Sequence, residues 1–282
     1  MEIVKTAGEL KNLLDTARNG NKTVGFVPTM GALHAGHLSL VAQAKAQSDV
    51  VVVSIFVNPT QFNNLADLKT YPRTPEQDLK MLKDAGCQIV FMPEEEEMYP
   101  QADNREFSFG ELDTIMEGAH RPGHFSGVAK IVSKLFTIIN ADKAFFGLKD
   151  FQQVAVVKML VANYMPEIKT QIVACETLRE PDGLAMSSRN RLLTRETRKA
   201  APIIAETMIK GRNLLRTHSV KAIEKFVSDS INRNPYLKVE YFSIVNSDTL
   251  MPVADFSGDH RISACIAVQA GNVRLIDNMY YR

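Results

Sequence analysis

The segment Val50-Val51-Val52-Val53-Ser54-Ile55-Phe56-Val57 constrains the fold more than any other, being almost wholly apolar, mostly β-branched and without polar alternation. A strand with one wet face alternates, so a continuous run reads as a strand covered on both faces, as in a parallel sheet between helical layers. Similar runs occur at Thr23 to Val27, Gln88 to Phe91, Lys143 to Phe146 and near Ile168 to Ala174. Helical patterns separate them: Gly36 to Gln47, a helix opened by Thr74-Pro75 and ending at Gly86, Ser126 to Ile139, and Phe151 to about Tyr164. Thr74 is placed to cap and Pro75 suits the first helical position. Strands joined by helical crossovers predict an α/β fold with a doubly wound, Rossmann-like parallel sheet.

After about residue 180 the pattern changes. Helical stretches at Arg195 to Arg216 and Val220 to Ile231 precede two strand-like runs, Val239 to Val245 and Ile262 to Val268, with no crossover between them. This predicts a smaller α+β domain, dividing the chain into residues 1–178 and 179–282. Lys plus Arg total 33 against 32 for Asp plus Glu, a balance that argues against nucleic acid or a membrane surface as partner. Cys87, Cys175 and Cys265 are odd in number and far apart, which favours neither a disulfide framework nor a thiolate metal cluster. Met1 to Lys5 does not read as a leader, and no apolar run approaches the roughly 20 residues of a membrane span. The expectation is a cytoplasmic protein.

The chemistry concentrates in Pro28-Thr29-Met30-Gly31-Ala32-Leu33-His34-Ala35-Gly36-His37, which follows the first strand and opens a helix. Ligands of open α/β sheets bind at that end of a strand. Unpaired amides at a helix N-terminus attract phosphate, and glycines let the backbone approach. Two histidines three residues apart can share a face and donate to phosphate oxygens. In isolation the pair reads rather as a satisfied surface feature or a metal pair lacking a third ligand; its position after the first strand reverses that preference. No Gly-Lys-Ser/Thr follows, so this is not a P-loop, and G-x-G-x-x-G is absent.

His34-Ala35-Gly36-His37 resembles the HIGH signature of the nucleotidylyltransferase superfamily, and the longer string is similar to the pantothenate synthetase family. Further matches follow in order: Asn58-Pro59-Thr60-Gln61-Phe62, Tyr71-Pro72-Arg73-Thr74, Gly123-His124-Phe125, Gly147-Leu148-Lys149-Asp150-Phe151-Gln152-Gln153, and Asp182 to Asn190 with Met186-Ser187-Ser188-Arg189 at its centre. The resemblance spans nearly the whole chain. It implies an ATP-dependent ligase that joins pantoate to β-alanine through a pantoyl adenylate, releasing pyrophosphate and AMP.

It also implies roles. Catalysis falls to His34, His37, Lys149 and Arg189. ATP is bound by residues Met30 to His37 (Met30, Gly31, Ala32, Leu33, His34, Ala35, Gly36, His37), by Gly147, Leu148, Lys149 and Asp150, by Leu178 through its backbone, and by Met186, Ser187, Ser188 and Arg189. Gln61 and Gln153 contact pantoate, with Gln61 also near β-alanine. The C-terminal domain serves as a lid, Mg2+ accompanies ATP, and the chain forms a homodimer. Asp78 reads either as a supporting carboxylate near the ion or as a charge at a helix N-terminus. Two other readings stand beside this one: a HIGH-type transferase that leaves the nucleotide on its product, and a nucleotide-binding protein without catalysis.

Overall fold

The structure, a computed structural model, describes residues 1–63 and 65–282. The chain divides into two compact units, Met1–Glu176 and Thr177–Arg282.

In the N-terminal unit the strands are β1 (Glu2–Val4), β2 (Val24–Thr29), β3 (Val50–Ile55), β4 (Ile89–Phe91), β5 (Lys143–Gly147) and β6 (Gln171–Cys175). Among the described residues these six form one sheet in the order β1-β4-β3-β2-β5-β6, with every pairing parallel. The helices are α1 (Ala7–Asn19), α2 (Ala35–Gln47), α3 (Leu65–Thr70), α4 (Pro75–Asp84), α5 (Glu95–Met98), α6 (Met116–His120), α7 (His124–Ile139) and α8 (Phe151–Tyr164). The run at Val50 is β3, with Val50 to Ser54 all buried. It lies between β2 and β4, as a continuous apolar strand should. Val27, Val53 and Val90 pack with Leu33, Val41, Ala44 and Leu82 in one core cluster.

The expected five strands gain a sixth, β1, a short edge strand beside β4. Thr74 differs from expectation. Pro75 opens α4, but Thr74 makes no side-chain cap, because its backbone at ψ 57° departs from the extended conformation that turns an N-cap side chain onto the helix amides; its hydroxyl donates to the Asp78 carboxylate at 3.0 Å. The four glutamates at Glu94 to Glu97 form the cap and first turn of α5, with Glu94 paired to Lys5 and Glu97 accepting from the Ala7 amide.

In the C-terminal unit, α9 (Arg195–Ala200), α10 (Ile203–Asn213) and α11 (Val220–Asn232) precede β7 (Leu237–Asn246), β8 (Ile262–Ala270) and β9 (Val273–Tyr280). The strands form an antiparallel sheet in the order β7-β8-β9. The helix expected over Arg195 to Arg216 is two, divided at Pro202, which lacks the amide to continue α9. Ile204, Met208, Ile223 and Val227 share a core with Ile244, Ile266 and Val268. No helix among the described residues is long and apolar enough to cross a membrane.

Candidate active site

Beyond β2 the backbone turns through Met30 to Leu33 before α2 begins at Ala35. The Thr29 hydroxyl donates to the Ser54 carbonyl of β3 at 2.7 Å and accepts from the Gly31 amide at 3.2 Å. Gly31 has φ +79°, and a Cβ there would stand 3.1 Å from Asp78 Oδ2 and from Ile55 Cγ2, so the conformation favours glycine and a side chain would press on both neighbours. Ala32 is also left-handed, φ 49°, at a cost of about 1–2 kcal/mol for an L residue. The Asp78 carboxylate, 1% exposed, offsets this by accepting from the Ala32 amide at 2.9 Å and the Leu33 amide at 2.8 Å.

His34 is the N-cap of α2, its Nδ1 accepting from the Gly36 amide at 3.1 Å. An accepting Nδ1 leaves the proton of a neutral imidazole on Nε2, so His34 offers a donor from its far edge. The His37 ring lies 4.1 Å from that of His34, centroid to centroid. The anticipated cradle of open helix amides is narrower than expected. The Gly36 amide is engaged by His34 Nδ1, the His37 amide by the His34 carbonyl, and the Ala32 and Leu33 amides by Asp78. The donor capacity of this segment therefore rests mainly on the two imidazoles.

β5 ends at Gly147, and the 3-10 turn Leu148–Asp150 leads into α8. Lys149 Nζ stands 3.7 Å from Asp150 Oδ1. β2 and β5 are neighbours, Phe26 opposite Ala144, and the strand order reverses between them. Met30 to His37 and Gly147 to Asp150 thus leave adjacent parallel strands at the same edge, the topological switch where α/β sheets bind ligands.

The loop after β3 joins them. Gln61 Nε2 lies 3.1 Å from Met30 Sδ. Asn58, 1% exposed, orients this glutamine: Asn58 Nδ2 donates to Gln61 Oε1 at 3.0 Å and to the Gly127 carbonyl at 3.1 Å. Its Oδ1 accepts from the Tyr99 hydroxyl at 2.7 Å, and burial pushes that phenol up to about 12, so it stays a donor. The network fixes both amides and leaves Gln61 presenting N–H groups. Gly127 lets α7 approach, since a Cβ there would overlap the Thr60 carbonyl.

His124, the first residue of α7, bonds the Gln61 carbonyl through Nδ1 at 2.9 Å and Arg121 Nη1 through Nε2 at 3.1 Å. Burial, reinforced by the Arg121 charge, pushes its pKa down to about 4. It is therefore neutral, Nδ1–H donating and Nε2 accepting. On α8, Gln152 is buried with its amide spent on the Glu117 amide and the Leu112 and Ile115 carbonyls, whereas Gln153 is half-buried. Sequence reasoning gave Asn58 and Tyr99 no role at Gln61; it read His124 as a support of the substrate pocket or a helix start, and α7 does begin there. The one local signal was Asn58 before Pro59, a residue suited to capping a turn.

In the C-terminal unit, Leu178 and Met186 are paired, the Met186 amide donating to the Leu178 carbonyl at 3.0 Å. Arg179 forks onto Asp277 of β9 at 2.7 and 2.9 Å. Ser187 Oγ accepts from the Arg189 amide at 3.2 Å and caps the 3-10 turn Ser188–Leu192. Leu178, Met186, Ser187, Ser188 and Arg189 thus belong to one loop system. Among the described residues no group of three or more His, Cys, Asp or Glu is placed to hold a metal. All three cysteines are buried, Cys87 with its thiol pushed up to about 11 by burial, which makes it a poor nucleophile.

The profile of the family described as pantoate-beta-alanine ligase matches residues 2–280. The chain belongs to this family. The pantothenate synthetase of Porphyromonas gingivalis is 50% identical over 281 residues, 100% of this chain and 99% of that protein. The crystal structure of the Thermus thermophilus pantothenate synthetase superposes with a TM-score of 0.92 at 38% identity, covering 100% of this chain and 99% of the other. That of the Francisella tularensis pantoate-beta-alanine ligase, complexed with beta-gamma ATP and beta-alanine, gives 0.83 at 37%, covering 100% and 98%. The family is one of ligases, and its reaction is that of pantoate with β-alanine.

Proposed function

We propose that the chain condenses pantoate with β-alanine, using ATP, by way of a pantoyl adenylate. A pantoate carboxylate oxygen attacks the α-phosphorus, and the bond to pyrophosphate breaks as the new P–O bond forms. The β-alanine amine then attacks the acyl carbon; the C–N bond forms as the acyl C–O bond to AMP breaks, AMP leaves and the nitrogen gives up a proton. The observation that carries the reading is the departure of the His34–His37 segment and the Lys149 turn from adjacent strands where the sheet order reverses.

Bringing a carboxylate onto a polyphosphate is a problem of charge and positioning. His34 through Nε2–H, His37 and Lys149 are suited to neutralise the phosphates, and Arg189 with the Ser187 and Ser188 hydroxyls is assigned to the same task by family likeness. Gly147, Leu148 and Asp150 are assigned to the nucleoside, as are Leu178 and Met186. Gln61 and Gln153 take pantoate, Gln61 through the N–H face that Asn58 leaves outward. An acyl adenylate hydrolyses in water, so water exclusion is needed; that lid role is assigned to the C-terminal unit.

A divalent ion, Mg2+, accompanies ATP. This ion is held largely by phosphate and water, which fits a chain whose described residues include no ready cluster of ligands and whose Asp78 oxygens are already engaged. Bound there, it would offset phosphate charge. Homodimer formation and a cytoplasmic location complete the reading.

The test is isotopic ATP–pyrophosphate exchange. It is expected to require pantoate but not β-alanine, with AMP and pantothenate released once β-alanine is added. Absence of exchange, or a product that keeps the nucleotide, would overturn the assignment.

A further inference from the structure

We infer that Asp78 is a positioning residue for ATP, acting through the turn that aims the two histidines. The inference rests on the assignment of Met30 to His37 to the nucleotide. Asp78 lies on α4, 45 and 46 residues beyond the amides it holds. Its Oδ1 takes the Leu33 amide at 2.8 Å and the Thr74 hydroxyl at 3.0 Å, and its Oδ2 takes the Ala32 amide at 2.9 Å. Two successive amides converging on one carboxylate form an anion nest, here filled by the protein itself.

Gly31 and Ala32 both have positive φ, a course that the alanine side chain disfavours. Without the carboxylate, two buried amides would lose their acceptor and Ala32 would relax toward the right-handed region. His34 follows two residues later and caps α2, so the relaxation would travel into both imidazoles. A residue that merely filled space there would need no acceptor on each oxygen. Thr74 completes the arrangement: in place of the expected cap, its hydroxyl fixes the carboxylate plane.

Asp78→Asn keeps the shape but can accept at only one of its two heads. In the variant, KM for ATP is expected to rise about tenfold or more and kcat for pantoate-dependent exchange to fall about 10²-fold, the scale of a small misplacement of reacting groups. KM for β-alanine stays at the wild-type value, and hydrogen exchange accelerates at the Ala32 and Leu33 amides above the rest of the unit. A purely structural role would lower kcat with every KM unchanged and spread the faster exchange across the unit, and that result overturns the inference. Should Asp78→Asn not fold, Thr74→Val leaves the carboxylate in place and is expected to raise KM for ATP about threefold; an unchanged KM counts against the inference. In the wild type the two amides are expected to be slow to exchange, and rapid exchange at both would overturn it. A wild-type protein without pantoate-dependent exchange defeats the functional reading and this inference together, whereas an active wild type with normal variants defeats this inference alone.

Discussion

In the N-terminal unit the candidate residues follow strands that are hydrogen-bonded on both sides, and the turns that carry them are pinned by buried groups: Asp78 under Ala32 and Leu33, Asn58 on Gln61, His124 on the Gln61 carbonyl. In the C-terminal unit Ser187, Ser188 and Arg189 sit on a 3-10 turn, in a loop anchored by ion pairs: Arg179 with Asp277, and Arg198 with Asp182 at 2.6 Å. One unit sets positions by backbone pairing and buried hydrogen-bonding side chains, neutral or singly charged, the other by paired charges partly open to water. Salt and substitution should separate them, since partly exposed pairs are screened.

The largest effect is expected on chemistry in the N-terminal unit. His37→Ala should lower pantoate-dependent ATP–pyrophosphate exchange by about 10² to 10³, as for loss of one preorganised donor, with the unfolding midpoint of that unit little changed; normal exchange would break the contrast at its centre. Next, Arg179→Ala leaves Asp277 without its fork and should destabilise the C-terminal unit by about 2–3 kcal/mol in urea titration. Arg179→Lys should recover only part of the loss, because an ammonium cannot reproduce two parallel bonds. Full recovery would show that charge alone anchors the loop.

The smallest effect is on pH dependence. His124 has a folded pKa of about 4 against the ordinary 6.5, so the fold holds the neutral imidazole. Its stability is fully present above about pH 6.5, declines as pH falls toward 4 and is lost by about 1 kcal/mol at pH 5.5. Urea midpoints across this window should fall for the wild type and flatten in His124→Gln. An equal slope in both would place the acid sensitivity elsewhere.

Local order explains what could be read from the chain. β2, β3 and α2 announce themselves through runs of apolar residues, and the likeness of Pro28 to His37 to a phosphate-binding segment is contiguous. β1 gave little signal because Glu2–Val4 is a three-residue edge strand with one buried side chain. β9 is interrupted by Arg274, Asp277 and Asn278, and Asp277 is buried only because Arg179, 98 residues earlier, pairs with it. The division of the α9 and α10 region was written in Pro202. Thr74 looked like a cap because spacing sees only neighbours, whereas the partners that recruit Asp78 lie far along the chain. The candidate residues themselves were legible; of the groups that hold them Asp78 and His124 stood out as supports, but their partners did not, because those contacts exist only after folding.

The strand order also bears on how the protein emerges from the ribosome. β2 pairs with β3 soon after both are made, but its other neighbour is β5, and Asp142, which bonds the Val24 amide, is translated 118 residues later. Through that interval the central strand shows a bare edge to the cell, the state in which nascent sheets are most prone to aggregate. A stalled or truncated polypeptide ending before residue 143 lacks β5 and keeps this hazard permanently.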